Sequence, residues 1–289
     1  MTRQVFVTTD WLAAHLADPG VAVIDASWYL PTLNRNARAE YLQGHIPGAV
    51  FFDIDAIADH SSGLPHMLPK PEAFAAAMGA LGLSNELAFV VYDSAGLYSA
   101  ARVWWTLRVY GVQSVFVLKG GLPRWKAEGR TLESGEVTRP ATRFVAHLDE
   151  RAIMDMEQVA RALDSKAAQV VDARPAERFR GEASEPRAGV RSGHIPGSVN
   201  LPYTDLIEGG QLKPPASVAE EFAQAGVDFN EPVITMCGSG VTAAIVAMAA
   251  VSLGHPMPAL YDGSWSEWGS QSNTPVATGA ASAVKRLTK

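Results

Sequence analysis

Short β-branched and aliphatic runs alternate along the chain with amphipathic or alanine-rich segments. Segments 21–26 (VAVIDA), 89–92 (FVVY), 169–173 (QVVDA) and 233–236 (VITM) are too short for helices and too uniformly apolar for half-exposed strands, so they read as buried strands. Segments 71–81, 99–110, 218–225 and 242–253 read as the helices between them. Strand–helix alternation of this kind predicts an α/β fold of parallel sheets with helices on both faces. The helix at 242–253 is small and apolar all round, which predicts packing on every side. Trp104 and Trp105 sit on the apolar helix at 99–110 and read as core.

The pattern occurs twice. VAVIDAS, from Val21, returns as AQVVDAR, from Ala168, and GHIPGAV, from Gly44, returns as GHIPGSV, from Gly193. VVYDSAGLYSAA, from Val90, aligns with VITMCGSGVTAA, from Val233, and KGGLPRW, ending at Trp125, aligns with DGSWSEW, ending at Trp268. Four blocks in one order, at offsets of 143 to 149 residues, describe a tandem duplication whose period is too long for a solenoid. The expected organisation is an N-terminal domain over 1–130, a linker over 131–150 and a C-terminal domain over 151–289. The polar stretch at 129–143, with Ser134, Gly135 and Pro140, marks the connector. The tail after Pro275, with Gly279, several alanines and three basic residues, reads as mobile.

Composition narrows the chemistry. With 24 basic and 30 acidic residues and a net charge of −6, the chain has no electrostatic footprint for nucleic acid or an anionic membrane. The longest apolar run, 243–251, falls far short of the ~18–20 residues of a bilayer span. Arg3 is the sole Lys or Arg before Arg35, so no charged leader is expected and the expected location is the cytoplasm. The seven histidines show no metal-ligand spacing, and no metal is expected. The paired His45 and His194 occur in both copies and read as structural, bonded to a backbone group or to the strand-end Asp25 and Asp172. A single cysteine, Cys237, excludes an intramolecular disulfide and cysteine-based zinc or iron–sulfur sites. It is either a buried bystander or a reactive nucleophile.

Its surroundings favour the second. MCGSGVTA, from Met236, follows a strand and opens a helix, where open α/β sheets place ligands. Gly238 and Gly240 let the loop's N–H groups turn toward one centre, an anion nest that favours thiolate over thiol. Ala243 stands where a C-x5-R phosphatase loop needs arginine, and no GK[ST] follows. RFRGEASEPR, from Arg178, places Arg178 and Arg187 on a folded-back loop where planar guanidinium groups could grip a carboxylate. The alternative is a solvated basic loop shared with Arg174, Arg180 and Arg191.

Taken together, the tandem VVDAR…GHIPG blocks and the CGSGVTA loop resemble the two-domain rhodanese family over nearly the whole chain, from Val21 to about Gly269. The resemblance implies two tandem rhodanese-like domains, the N-terminal one catalytically silent, in keeping with Asp93 opposite Cys237. Uncharged Gly238 and Ser239 are similar to the mercaptopyruvate-using branch; thiosulfate-using members carry basic residues there. The implied activity passes sulfur from 3-mercaptopyruvate through a Cys237 persulfide to a thiol, cyanide or a reduced dithiol protein such as thioredoxin, releasing pyruvate, with no cofactor. The implied substrate-binding residues are Arg178, Arg187, Gly238, Gly240, Val241 and Thr242, and the implied proton relay is Ser239 with Asp55 and His66. A thiosulfate:cyanide sulfurtransferase and a non-catalytic persulfide carrier are the alternatives. The duplication suggests a monomer, one copy filling the interface that a single-domain relative would offer a partner.

Overall fold

The computed structural model describes residues 4–281. Five parallel strands form the N-terminal sheet: β1 (Phe6–Val7), β2 (Val21–Asp25), β3 (Val50–Phe51), β4 (Ala88–Tyr92) and β5 (Val115–Leu118), in the order β1-β5-β4-β2-β3. The C-terminal half repeats the arrangement with β6 (Ile153–Met154), β7 (Gln169–Asp172), β8 (Val199–Asn200), β11 (Val233–Met236) and β12 (Ala259–Tyr261), in the order β6-β12-β11-β7-β8. An antiparallel hairpin of β9 (Ile207–Glu208) and β10 (Gln211–Leu212) lies between β8 and β11.

Alternation along each strand sends side chains to two different cores. Ala22 and Ile24 of β2 face inward with Phe89 and Val91 of β4, while Val23, Val90 and Tyr92 face outward. The N-terminal outer face is covered by α1 (Thr9–His15) and α5 (Gly121–Ala127), with α2 (Ala37–Gln43) beside β3. The inner face is covered by α3 (Pro71–Ala80) and α4 (Ala100–Val109). In the second half α6 (Met156–Ser165) and α10 (Ser264–Trp268) lie outside, and α8 (Pro215–Gln224) and α9 (Ala243–Ser252) inside. The short α7 (Ala176–Phe179) follows β7.

The two inner faces share one continuous core because α4 and α9, equivalent helices of the two copies, pack on each other. The absence of any polar face on α9 follows: residues 243–251 are all buried. Trp104 and Trp105 are buried in this seam.

The connecting segment is strapped to the N-terminal half. Glu133 forms a bridge with His45, the Thr142 N–H donates to the Gly79 carbonyl, and Val145 and Asn85 exchange two hydrogen bonds. Residues following the second sheet repeat the first of these contacts, Ala277 bridging His194. The Gly279 N–H also donates to the Arg180 carbonyl, so the chain remains tied down beyond Pro275. The rest of the tail expected to be mobile, residues 282–289, lies outside the described residues, as does Arg3. Among the described residues no helix is long and apolar enough to cross a membrane.

His45 and His194 use Nδ1 on the carbonyls of Tyr41 and Phe179, each at 2.8 Å, and stack on those same rings. Both are buried parts of the scaffold.

Candidate active site

Cys237 begins the loop between β11 and α9, at the carboxyl end of the sheet, and is 2% exposed. Neighbouring segments fix its backbone: its N–H donates to Ser264 Oγ at 3.2 Å, and its carbonyl accepts from Trp265 N–H at 3.0 Å. The Gly238 carbonyl accepts from both Ser266 N–H and Ser266 Oγ. Gly240 takes φ +78°, a left-handed conformation that bends the loop back. Among the described residues, the N–H groups of 238–242 meet no hydrogen-bond acceptor. Val241 buries its side chain in the core and Thr242 is nearly buried, so these two would serve a ligand chiefly through the backbone.

The equivalent loop of the first half shows what such amides hold. Asp93 directs its own carboxylate into them, accepting from the N–H groups of Ala95 (2.9 Å), Tyr98 (2.7 Å) and Ala100 (2.8 Å). Burial nevertheless pushes this carboxyl above its usual range, outweighing those bonds. A hairpin from the other half closes the loop over: a Cβ on Gly96 would sit 2.6 Å from the Gly210 carbonyl oxygen.

The exchange is reciprocal. The loop after β3 crosses in the other direction, bringing His66 against Cys237's loop. His66 Nδ1 lies 3.0 Å from Ser239 Oγ, and its Nε2 lies 3.0 Å from Asp55 Oδ1. Asp55 Oδ2 accepts from Trp28 Nε1 at 2.8 Å. Because a carboxylate only accepts, Nε2 carries a hydrogen toward Asp55, and in the neutral imidazole Nδ1 is left to accept from the serine hydroxyl. The hydrogen bond from His66 holds the Asp55 carboxyl below its usual range, although its side chain is 62% exposed. His66 itself is buried, with the Trp28 ring edge-on to it at 4.7 Å.

The basic loop is not a solvated one. Arg174 is 1% exposed, pairs with Asp172 and Glu185, bonds the Gly193 carbonyl, and lies over the Trp265 ring. Arg178 also pairs with Glu185, with Nη2 beside the loop, 3.2 Å from where a Cβ on Gly238 would be. Arg180 pairs with Glu182, and Arg191 bonds Gly269 and Thr274. Arg187 differs: half-buried, it has no hydrogen bond or ion pair among the described residues. Burial pushes its guanidinium below the usual value, opposed by the charge of Cys237 and reinforced by that of Arg178.

Sequence reasoning passed over an aromatic cluster within electrostatic reach of Cys237. Tyr98 stacks parallel to Trp28 at 6.3 Å and meets Tyr203 edge-on at 5.7 Å. Burial raises both phenols above their usual range, with the charge of Cys237 adding to the effect. It also passed over Arg102, visible in the sequence as a charge inside the apolar run AARVWWTL.

The comparisons with known proteins agree with this architecture. The rhodanese-like domain family matches twice, over residues 8–128 and 155–271. The chain belongs to the rhodanese family. It is 48% identical over 277 residues to a 3-mercaptopyruvate sulfurtransferase of Escherichia coli, covering 96% of this chain and 99% of that one. A thiosulfate sulfurtransferase of Bos taurus is 44% identical over 274 residues, covering 92% of each. The crystal structure of an Escherichia coli 3-mercaptopyruvate sulfotransferase superposes with a TM-score of 0.85 at 46% identity, covering 91% of this chain and 99% of that one. The rhodanese fold, anticipated as two tandem α/β domains, is thus shared along nearly the entire chain.

Proposed function

We propose that the chain is a 3-mercaptopyruvate sulfurtransferase, passing sulfur through a persulfide on Cys237 to a thiol, cyanide or a reduced dithiol protein such as thioredoxin, and releasing pyruvate. Arg187 carries the reading. Alone among the five arginines from 174 to 191 it has no protein acceptor among the described residues, and it stands within the electrostatic reach of Cys237. A donor with a carboxylate beside its sulfur supplies the missing partner. The relatives named for mercaptopyruvate support the same donor. The uncharged Gly238 and Ser239 argue against a dianionic thiosulfate as the better one.

Cys237 thiolate attacks the donor sulfur. An S–S bond forms, the C–S bond breaks, and its electron pair departs as the enolate of pyruvate. Arg187, with Nη1 of Arg178, which has no partner among the described residues, stabilises the negative charge that gathers on the enolate and carboxylate. The proton carried by the transferred sulfur passes to the enolate carbon through Ser239 and His66, with Asp55 holding the imidazole in its tautomer. The free N–H groups of 238–242 cradle the persulfide anion. A nucleophilic acceptor then takes the outer sulfur and restores the thiolate. The α4–α9 seam supports a monomer.

The test compares kcat/KM for mercaptopyruvate and thiosulfate with cyanide as acceptor. A preference for mercaptopyruvate of about tenfold or more, the worth of one charge-assisted hydrogen bond, is expected. Equal efficiencies would remove the donor assignment, and no turnover without a protein partner would favour the carrier.

A further inference from the structure

We propose that Arg102 and Asp262 form a positioning pair that sets His66 against Ser239 across the two halves of the molecule. The inference rests on the relay described above. Arg102 belongs to α4 of the silent half and is 2% exposed; Asp262 follows β12 of the catalytic half and is 3% exposed. Arg102 Nη2 donates to Asp262 Oδ1 and to the His66 carbonyl, each at 2.6 Å, and Nη1 donates to the Gly240 carbonyl at 3.4 Å. Asp262 Oδ2 accepts from the Leu68 N–H at 2.7 Å. One guanidinium thus joins the relay histidine's backbone to the cysteine loop, and its carboxylate partner holds the same segment two residues further on.

His66 needs such a hold. Its φ of +61° is left-handed, a conformation that a residue with a Cβ keeps only when its surroundings impose it. The imidazole is fixed through Ser239, Asp55 and Trp28, and the backbone through Arg102. A Cβ on Gly240 would approach Arg102 Nη1 to 2.8 Å, so the glycine leaves the space that the guanidinium fills. Neither Arg102 nor Asp262 needs to touch substrate. Their contribution is the placement of a proton-transfer group within hydrogen-bond reach, where small displacements cost rate.

The test is a double-mutant cycle in the full-length protein with mercaptopyruvate as donor. Lysine at 102 keeps the charge for Asp262 without the planar fork that reaches several acceptors. Arg102→Lys is expected to lower kcat about tenfold, leave KM within about twofold, and keep Tm within a few degrees. His66→Gln is expected to lower kcat by about 100-fold. The double variant should be no slower than His66→Gln, because a residue that acts only through His66 has nothing left to position. Asp262→Asn, which leaves one acceptor oxygen for the two donors Arg102 Nη2 and Leu68 N–H, should give the same kcat-selective loss and the same lack of additivity. Wild-type kcat in Arg102→Lys, or a double variant losing the product of the two single effects, would overturn the proposal. Wild-type kcat in His66→Gln would instead overturn the relay itself.

Discussion

Replacing Arg187 with alanine tests the proposed contact with the donor's carboxylate, read in KM, apart from any loss in kcat that follows from its proposed hold on the enolate. The side chain has no partner among the described residues and is pushed below its usual pKa by burial and by Arg178. Its loss removes no fold contact of comparable strength, so Tm should stay level or rise slightly. The functional cost follows from the bond lost: a hydrogen bond to a charged group is worth ~1.5–3 kcal/mol. At 1.4 kcal/mol per tenfold, KM for mercaptopyruvate should rise about 10- to 150-fold. Arg178 cannot offer a bidentate fork in its place, because Glu185 already engages its Nε and Nη2 and only Nη1 is left among the described residues. Lysine at 187 should fall between the two, keeping charge but losing the fork. The assay is initial-rate pyruvate formation over a range of mercaptopyruvate concentrations, run beside a sulfur donor that lacks a carboxylate. An unchanged KM, or the same fold-loss with both donors, would refute the contact.

Other outcomes follow from the same geometry. Arg174→Ala leaves Asp172 buried without its cation, while Glu185 keeps only Arg178, so unfolding stability should drop by ~3–5 kcal/mol in a urea titration. Asp93→Cys combined with Cys237→Ser should release no pyruvate, because Gly210 covers the first loop and His66 lies at the other one; pyruvate formation would show that the loop alone suffices. Asp55 has a lowered carboxyl pKa, so its stabilisation is complete above the unfolded value near ~3.9 and is lost as pH falls through the folded one. Wild type should therefore exceed Asp55→Asn in unfolding free energy by a small amount at neutral pH, under ~1 kcal/mol for so exposed a carboxylate, with the gap closing as pH falls through the folded value. A gap that widens on acidification would reverse the sign of this argument.

What the sequence made legible, it did through burial. The central strands of both sheets and helices α3, α4, α8 and α9 emerge within a few residues of their ends because their apolar runs are long enough to carry a pattern. Two-residue strands such as Phe6–Val7 and Ile153–Met154 leave no periodicity, and the hairpin at Gly209 and Gly210 reads only as a turn. The strapping of the linker depends on single bonds such as Thr142 to Gly79, made by a segment whose composition says merely loop.

For the candidate site, the cysteine loop could be argued from spacing and residue type, whereas the two arginines were set above a solvated basic loop only by the resemblance. Spacing could not say that Glu185 occupies Arg178 while Arg187 stays unpaired, since the two share one loop. His66 and Ser239 are 173 residues apart and meet because the duplicated domains exchange loops. No local pattern encodes that meeting; only the resemblance suggested it. Arg102 was the available clue, since a charge within a helix buried on all sides requires a partner, and its partners join the two halves.

The central claim is that Cys237 carries the sulfur. Purified protein incubated with mercaptopyruvate, digested and examined by mass spectrometry, should show one added sulfur on the Cys237 peptide, with an equal amount of pyruvate released. Cyanide should remove that sulfur. Steady pyruvate release with an unmodified Cys237, or undiminished turnover by Cys237→Ser, would contradict the account.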